Sequence, residues 1–191
     1  MTEVQTTSVT DNVRVATYAI ETIRELIPDW DRISRLERIA ALEDLEPETE
    51  FSTHNVSTST YREYLAQLHN PEVNSQSVTW THLAFGDDGT AESLGDEHLI
   101  NEVYRDAIDD HVDNSADNEY AAVLLIGSDE AVGLSLKEAA LVSEADPSNS
   151  DDIAANRALL DDPDNRLDPK DSDHAVTVRI ELSYLDNSEV V

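Results

Sequence analysis

Tyr120-Ala121-Ala122-Val123-Leu124-Leu125-Ile126 is the longest apolar run of the chain, seven residues that stop abruptly at Gly127-Ser128-Asp129-Glu130. A membrane span needs about twenty residues, so this run is too short to cross. It has the length of a strand buried on both faces. Downstream, Ala139-Ala140-Leu141-Val142 forms a second apolar run and Ala175 to Leu185 a third. Within the last, Val176, Val178, Ile180, Leu182 and Tyr184 alternate with Thr177, Arg179, Glu181 and Ser183, the period of a strand with one face on a core. The C-terminal two-thirds therefore reads as β-structure organised around 120–126.

Upstream the period changes. Val13, Ala16, Tyr18, Ala19, Ile20, Ile23, Leu26 and Ile27 form a wide apolar stripe, predicting a helix from Asp11 or Asn12 to about Ile27, stopped by Pro28. A second helix is expected over Asp31 to Asp44, with Ile33, Leu36, Ile39, Ala40 and Leu45 on one face. Glu46 to Thr60 is polar, contains Pro47 and reads as a loop; a short helix follows from about Thr58 to Leu68. The helical period ends near Pro71, which divides the chain into an N-terminal helical segment, 1–71, and a β-domain, 72–191.

Within that β-domain, Ser77 to Phe85 has strand composition and Gly86-Asp87-Asp88-Gly89 is a turn. Leu99, Ile100, Val103, Tyr104, Ala107, Ile108 and Val112 fit a helical period better than a strand. Leu134 to Val142 predicts a strand, Glu144 to Asp152 a loop, and Ala154 to Leu160 either a helical turn or an edge strand. The expected fold is mainly β, an antiparallel sandwich-like domain preceded by helices, α+β overall.

Charge sets the next bound. The chain carries 42 Asp+Glu against 12 Lys+Arg, a formal net charge of -30, and its only lysines are Lys137 and Lys170. Such an excess usually accompanies disorder, yet 39% of the residues are hydrophobic and they are periodic. Adaptation to molar salt accounts for both, because there the Debye length shrinks to about 3 Å and self-repulsion is screened. An ordinary acidic protein of dilute cytoplasm is the alternative. Ten scattered arginines offer no basic stripe for phosphates, so no nucleic-acid partner is expected, and no membrane partner either. The absence of cysteine excludes disulfides and thiolate metal sites. Met1-Thr2-Glu3 lacks the basic start and apolar core of a signal peptide, which leads us to expect synthesis and assembly inside a cell.

No stretch announces a reaction. His82, His98 and His111 lie among Asp87, Asp88, Asp96, Glu97, Asp109 and Asp110, but their spacing matches no metal motif, and acidic neighbours are common throughout this chain. Asp161-Asp162-Pro163-Asp164-Asn165 lacks the ligand periodicity of a calcium loop. There is no Gly-x-Ser-x-Gly and no phosphate-cradling glycine loop. No catalytic, cofactor-binding or metal residue is expected. Trp30, Trp80 and Tyr104 read as core rather than as a binding platform. Arg14, Arg24, Arg32, Arg35 and Arg38, half of all the arginines, form a candidate docking face toward an acidic neighbour; the alternative is pairing along solvated helices.

Thr81-His82-Leu83-Ala84-Phe85-Gly86-Asp87-Asp88-Gly89-Thr90, followed by Leu99-Ile100-Asn101-Glu102-Val103-Tyr104-Arg105, resembles a structural protein of tailed viruses and prophages. In that family a strand ends in a GxGxT-like turn and precedes an L-x-N-E-x-x-R segment. Its later G-x-x-x-x-E-x-x-L block is matched by Gly133 to Leu141, and Arg157-Ala158-Leu159-Leu160 and Ala175 to Tyr184 sit where its arginine-bearing and final strands fall. The resemblance spans about 78–185. Asp88 departs from a usual small residue, Ala140 from a common glycine, and the acidic insert 144–153 is longer; residues 1–70 have no counterpart.

The resemblance implies a β-sandwich-like virion component of the tail, baseplate or fibre region, with strand rather than helix over about 104–112. Combined with the periodicity, this leaves a short helix near 97–103 followed by extended chain. Glu102 and Arg105 are expected to tie adjacent segments together. With the salt signature, the chain resembles a virion protein of a tailed virus of haloarchaea, made in the host cytoplasm. It would be homo-oligomeric, as a trimer or ring, and bound to other virion proteins, with capsid-surface decoration as a close variant. A host-surface adhesion module and a cellular halophilic enzyme are the rival expectations.

Overall fold

The computed structural model describes residues 12–68, 77–114, 119–163 and 165–183. The chain opens with strand β1 (Asn12–Ala19), then helices α1 (Ile20–Leu26) and α2 (Arg35–Glu43) and strand β2 (Thr49–Ser57). Helix α3 (Ser59–Leu68) precedes β3 (His82–Gly86), β4 (Glu102–Ala107), β5 (Asp110–Asn114) and β6 (Glu119–Ile126). Strands β7 (Glu138–Val142), β8 (Asn156–Leu159) and β9 (His174–Ser183) complete it. The nine strands of the described residues join one sheet in the order β4-β3-β7-β8-β2-β1-β9-β6-β5, and each adjacent pair is antiparallel. The fold is a mixed α+β domain dominated by this sheet, curled into a half-barrel.

Two places make the curl. Strand β2 pairs with β1 through 49–54 and with β8 through 55–57, so one strand belongs to both halves of the sheet. At the opposite side the outermost strands β4 and β5 are separated only by Ile108 and Asp109. Ile108 N donates to Thr81 O at 2.9 Å, on the β3 side, and Asp109 N donates to Val123 O on β6 at 3.0 Å. The chain thus changes halves between consecutive residues, and the two ends of the sheet meet there. Strands that switch sheets in this way form the corners of curled β architectures.

One core fills the concave side. Val13 and Val15 of β1, Leu124 and Ile126 of β6, and Val178, Ile180 and Leu182 of β9 pack with Leu83, Phe85 and Leu141 from the other half. Tyr61 of α3 closes one end, edge-on to Trp80 at 5.5 Å between ring centres. The convex side of β1, β9 and β6 is half covered. Ile23, Trp30, Ile39 and Leu42 from α1, α2 and their connection lie on Ala16, Tyr18, Val123, Leu125 and Ala175. Each fully buried aliphatic side chain contributes about 1.5–3 kcal/mol. The exposed pairs Arg24–Asp31 and Arg32–Asp29 contribute at most about 1 kcal/mol each, so burial is what holds this cap. Ser34 starts α2 with a capping box: its Oγ accepts from Glu37 N, and Glu37 accepts from Ser34 N at 2.8 Å.

The expected strands over 119–126 and at the C-terminus are present, as is the helix near 58–68. Tyr184 lies outside the described residues, as does Pro71, where the helical segment was expected to end. Four readings need correction. The helix expected from 11 or 12 to 27 is a strand up to Ala19 and helical only from Ile20. Because Val13, Val15 and Thr17 face the core while Ala16 and Tyr18 face the helices, β1 is apolar on both sides, and its period of two is blurred. The polar stretch 46–60, read as loop, contains β2, which has hydrogen-bonded strands on both sides but only Phe51 deeply buried. Residues 1–71 therefore contribute two interior strands to the same sheet as the rest. The short helix expected near 97–103 does not form, and 102–107 and 110–114 are strands. The stretch 154–160 contains β8 (Asn156–Leu159), an interior strand rather than an edge strand or a helical turn.

Candidate functional site

Charged side chains gather in three places. The first lies beneath the loop from Asp87 to Asn101. Glu138 begins β7 and Arg157 lies on β8, and both side chains are wholly buried. Glu138 accepts backbone hydrogen bonds from Ile100 N and Asn101 N, both at 3.1 Å, and from Arg157 Nε. Arg157 also donates to Asp96 Oδ2 at 2.9 Å and to Thr90 O at 2.7 Å. Asn101 Nδ2 reaches Asp87 Oδ1 at 2.6 Å. A side chain on Gly86 would place its Cβ 2.1 Å from Glu138 Oε1 and 2.7 Å from Asn101 O, so only glycine leaves room for the carboxylate. Next door, Arg105 grips Glu102 with Nε and Nη2, both at 2.7 Å, and reaches Asp152 at 2.9 Å and Glu144 O. Arg105, held by Glu102 three residues before it, thus ties β4 to the 144–152 loop.

The second cluster sits at the corner between β4 and β5. Arg35, at the start of α2, reaches Asp109 at 2.7 Å, Asp106 at 3.2 Å and Glu130 at 2.6 Å, and donates to Leu125 O. One guanidinium fork therefore holds a helix, strand β4, the corner residue Asp109, the end of β6 and the turn after it. Burial and the neighbouring Asp106 carboxylate push the Tyr104 hydroxyl well above the usual phenol range. Lys170, near the start of β9, is buried, and among the described residues no carboxylate pairs with it; its Nζ donates to Asp171 O and to His174 O. Burial pushes its pKa down, against the pull of Asp171 and Glu130.

The third place is the uncovered part of the convex face. Arg14 of β1 and Arg179 of β9 are directly opposite each other in the register. Arg14 Nη2 meets Glu50 Oε2 of β2 at 2.6 Å, and Arg179 Nε meets Glu181 Oε1 at 2.6 Å. They line a groove of about 440 Å³ between the sheet and the end of α2, floored by Ala16, Tyr18, Leu42 and Val123. Arg179 and Glu181 also line a second hollow of about 270 Å³ that extends the groove to Ala121 and Val112.

The five N-terminal arginines do not share one face. Arg24 and Arg32 pair locally with Asp31 and Asp29, and Arg38 lies over the Trp30 ring at 5.2 Å. Arg35 is committed to the corner. Arg14 alone faces the groove, and its partner there, Arg179, was not singled out by sequence. The alternation of the last strand did place Arg179 on the face away from the core. Trp30 is buried and Trp80 and Tyr104 pack against the core. His82 is bonded to Thr81 and His111 to Tyr120; among the described residues no group of three or more His, Asp and Glu side chains is placed to hold a metal ion. Among them, too, no helix is long and apolar enough to cross a membrane. No protein-family model, curated protein or solved structure matches this chain.

Proposed function

We propose that this chain is a structural subunit of a tailed-virus particle adapted to molar salt, working by assembly rather than by catalysis. One observation carries the reading. The residues on which the family resemblance rests, Gly86, Asn101, Glu102, Arg105, Glu138 and Arg157, converge on two adjacent polar networks that pin one loop and one edge strand to the sheet. A motif of this kind follows from the needs of a scaffold, because each member is required by another member's buried charge. The two halves of the sheet facing each other over a single core support the sandwich-like character that the resemblance implies. The net charge of -30 supports a particle that works in brine.

Mass spectrometry and antibody labelling of purified haloarchaeal virus particles test the reading. A fixed copy number per particle, with label on the tail, baseplate or capsid surface, is the expected result. Absence from particles together with retention on host envelopes would replace it with an adhesion role. Activity that depends on a single His or Asp would replace it with an enzyme.

A further inference from the structure

We infer that a single buried water bridges the side chains of Asn55 on β2 and Asn156 on β8, and that this bridged pair fixes the register in which the two halves of the sheet are joined. The site lies on the core side of the sheet and belongs to the fold, whichever particle or partner the chain serves.

Strand β2 meets β8 through the pairs Asn55–Ala158, Val56–Arg157 and Ser57–Asn156. Opposed residues, and residues two apart on one strand, share a face. Asn55 and Asn156 therefore point the same way as Ala158, into the core. They are diagonal neighbours, about 7–8 Å apart at the backbone. The chain entering β8 carries a bulge: Val142 pairs with Ala154 and Ala139 with Ala158, so 155–157 face only 140 and 141. There Asn156 Oδ1 stands in for a backbone acceptor and takes Leu141 N at 3.0 Å. That bond fixes which end of the amide is which and leaves Nδ2 without a partner in a wholly buried residue. Asn55 Oδ1 and Nδ2 are both shielded from solvent, and neither has a partner. Among the described residues one other buried side-chain polar atom lacks a hydrogen bond, Arg35 Nε, and it faces Asp109 at 2.7 Å. The unmet atoms are thus concentrated at one seam.

A buried donor or acceptor left unmade is costly, and buried waters sit where two to four such groups converge. The two amides do not bond each other, and a diagonal spacing is what one bridging oxygen spans. A water there accepts from Asn156 Nδ2 and closes a small ring with the Asn55 amide, donating to its Oδ1 and accepting from its Nδ2. A chloride would leave Oδ1 unmet, and a cation is repelled by the two NH2 groups. The bridge supplies what β2 lacks. Of that strand's nine residues only Phe51 is deeply buried, so an apolar pattern does little to set its register against β8. A slip of one residue would turn Asn55 to the outer face and leave Asn156 Nδ2 unmet in the core.

NMR of the 15N-labelled full chain in molar KCl is expected to show magnetisation transfer from one long-lived water to the side-chain amides of both Asn55 and Asn156, opposite in sign in NOESY and ROESY spectra. A crystal structure of the full chain is expected to place an oxygen within about 2.7–3.2 Å of Asn156 Nδ2 and of the Asn55 amide. Asn55→Leu is expected to abolish the transfer at Asn156 and to speed amide hydrogen exchange of 55–57 and 156–158 about tenfold, with β6 and β9 unchanged. If that variant does not fold, the wild-type spectra and crystal decide. A direct bond between the two amides, no water at Asn156, or an anomalous bromide peak at the site when KBr replaces KCl overturns the proposal. A folded Asn55→Leu chain that keeps the water at Asn156 overturns it too. Water at the wild-type site with unchanged exchange in a folded Asn55→Leu chain upholds the site and overturns its part in setting register.

Discussion

Gly86 shows how much one missing methyl can carry. The Glu138 carboxylate occupies the space a side chain at 86 would take, and from there it receives two backbone N–H groups and Arg157. Gly86→Ala is therefore expected to destabilise the fold by about 2–4 kcal/mol, since neither the carboxylate nor the Asn101 carbonyl can retreat without losing its partners. Urea titration monitored by the fluorescence of Trp80 and Trp30 measures it. Glu138→Gln keeps the volume but leaves the buried Arg157 charge with only Asp96 as a counter-ion, at an expected cost of about 3–5 kcal/mol. Loss of only a few tenths in the same titration would mean that the pair is not the lock described above. The polar tract 87–101 thus owes its position to a glutamate and an arginine 37 and 61 residues away from the groups they hold. No local pattern reports such a partnership, although the Glu138 and Arg157 positions stood out through resemblance.

At the scale of elements, the corner at Ile108–Asp109 and the helix above it are joined through Arg35. Removing that side chain leaves Asp106, Asp109 and Glu130 to repel one another at the point where the two ends of the sheet meet. Arg35→Ala is expected to cost roughly 2 kcal/mol and to accelerate amide exchange of Asp109 and of α2, while α3 exchanges as before. Hydrogen-exchange mass spectrometry on the same sample resolves the three segments. Strands β6 and β9 and helix α3 were legible because each presents a continuous apolar run or one clean period. Strands β1 and β2 were not. The first has apolar residues on both faces, and the second is polar because one face lies in solvent; pairing with β8, β1 and β9 makes them strands.

For the whole molecule, the opposing terms are a buried core and a surface carrying a formal charge of -30. Raising KCl from dilute buffer to molar concentration is expected to raise the midpoint of thermal unfolding steadily, because screening removes repulsion between exposed carboxylates. The Glu138–Arg157 pair is excluded from solvent and is little screened, so salt relieves the exterior without loosening the interior. Scanning calorimetry across a salt series measures the trend, and a midpoint independent of salt would show that the surface charge is not a salt adaptation. The groove lined by Arg14 and Arg179 was half legible at this scale. Arg14 was marked by its place among the N-terminal arginines, and Arg179 by strand alternation alone; that they face each other follows from the β1–β9 register.

Sequence alone determined the central and final strands, the short helix before Leu68, the acidic exterior and the absence of thiol chemistry, because these depend on composition and on contacts between near neighbours in the chain. Tertiary structure alone decided that the first eight described residues form a strand, that 156–159 lies inside the sheet, and that a glycine, a glutamate and an arginine share one buried network. Those outcomes depend on pairing between segments far apart in sequence, where a side chain's partner is set by register and curl rather than by its neighbours.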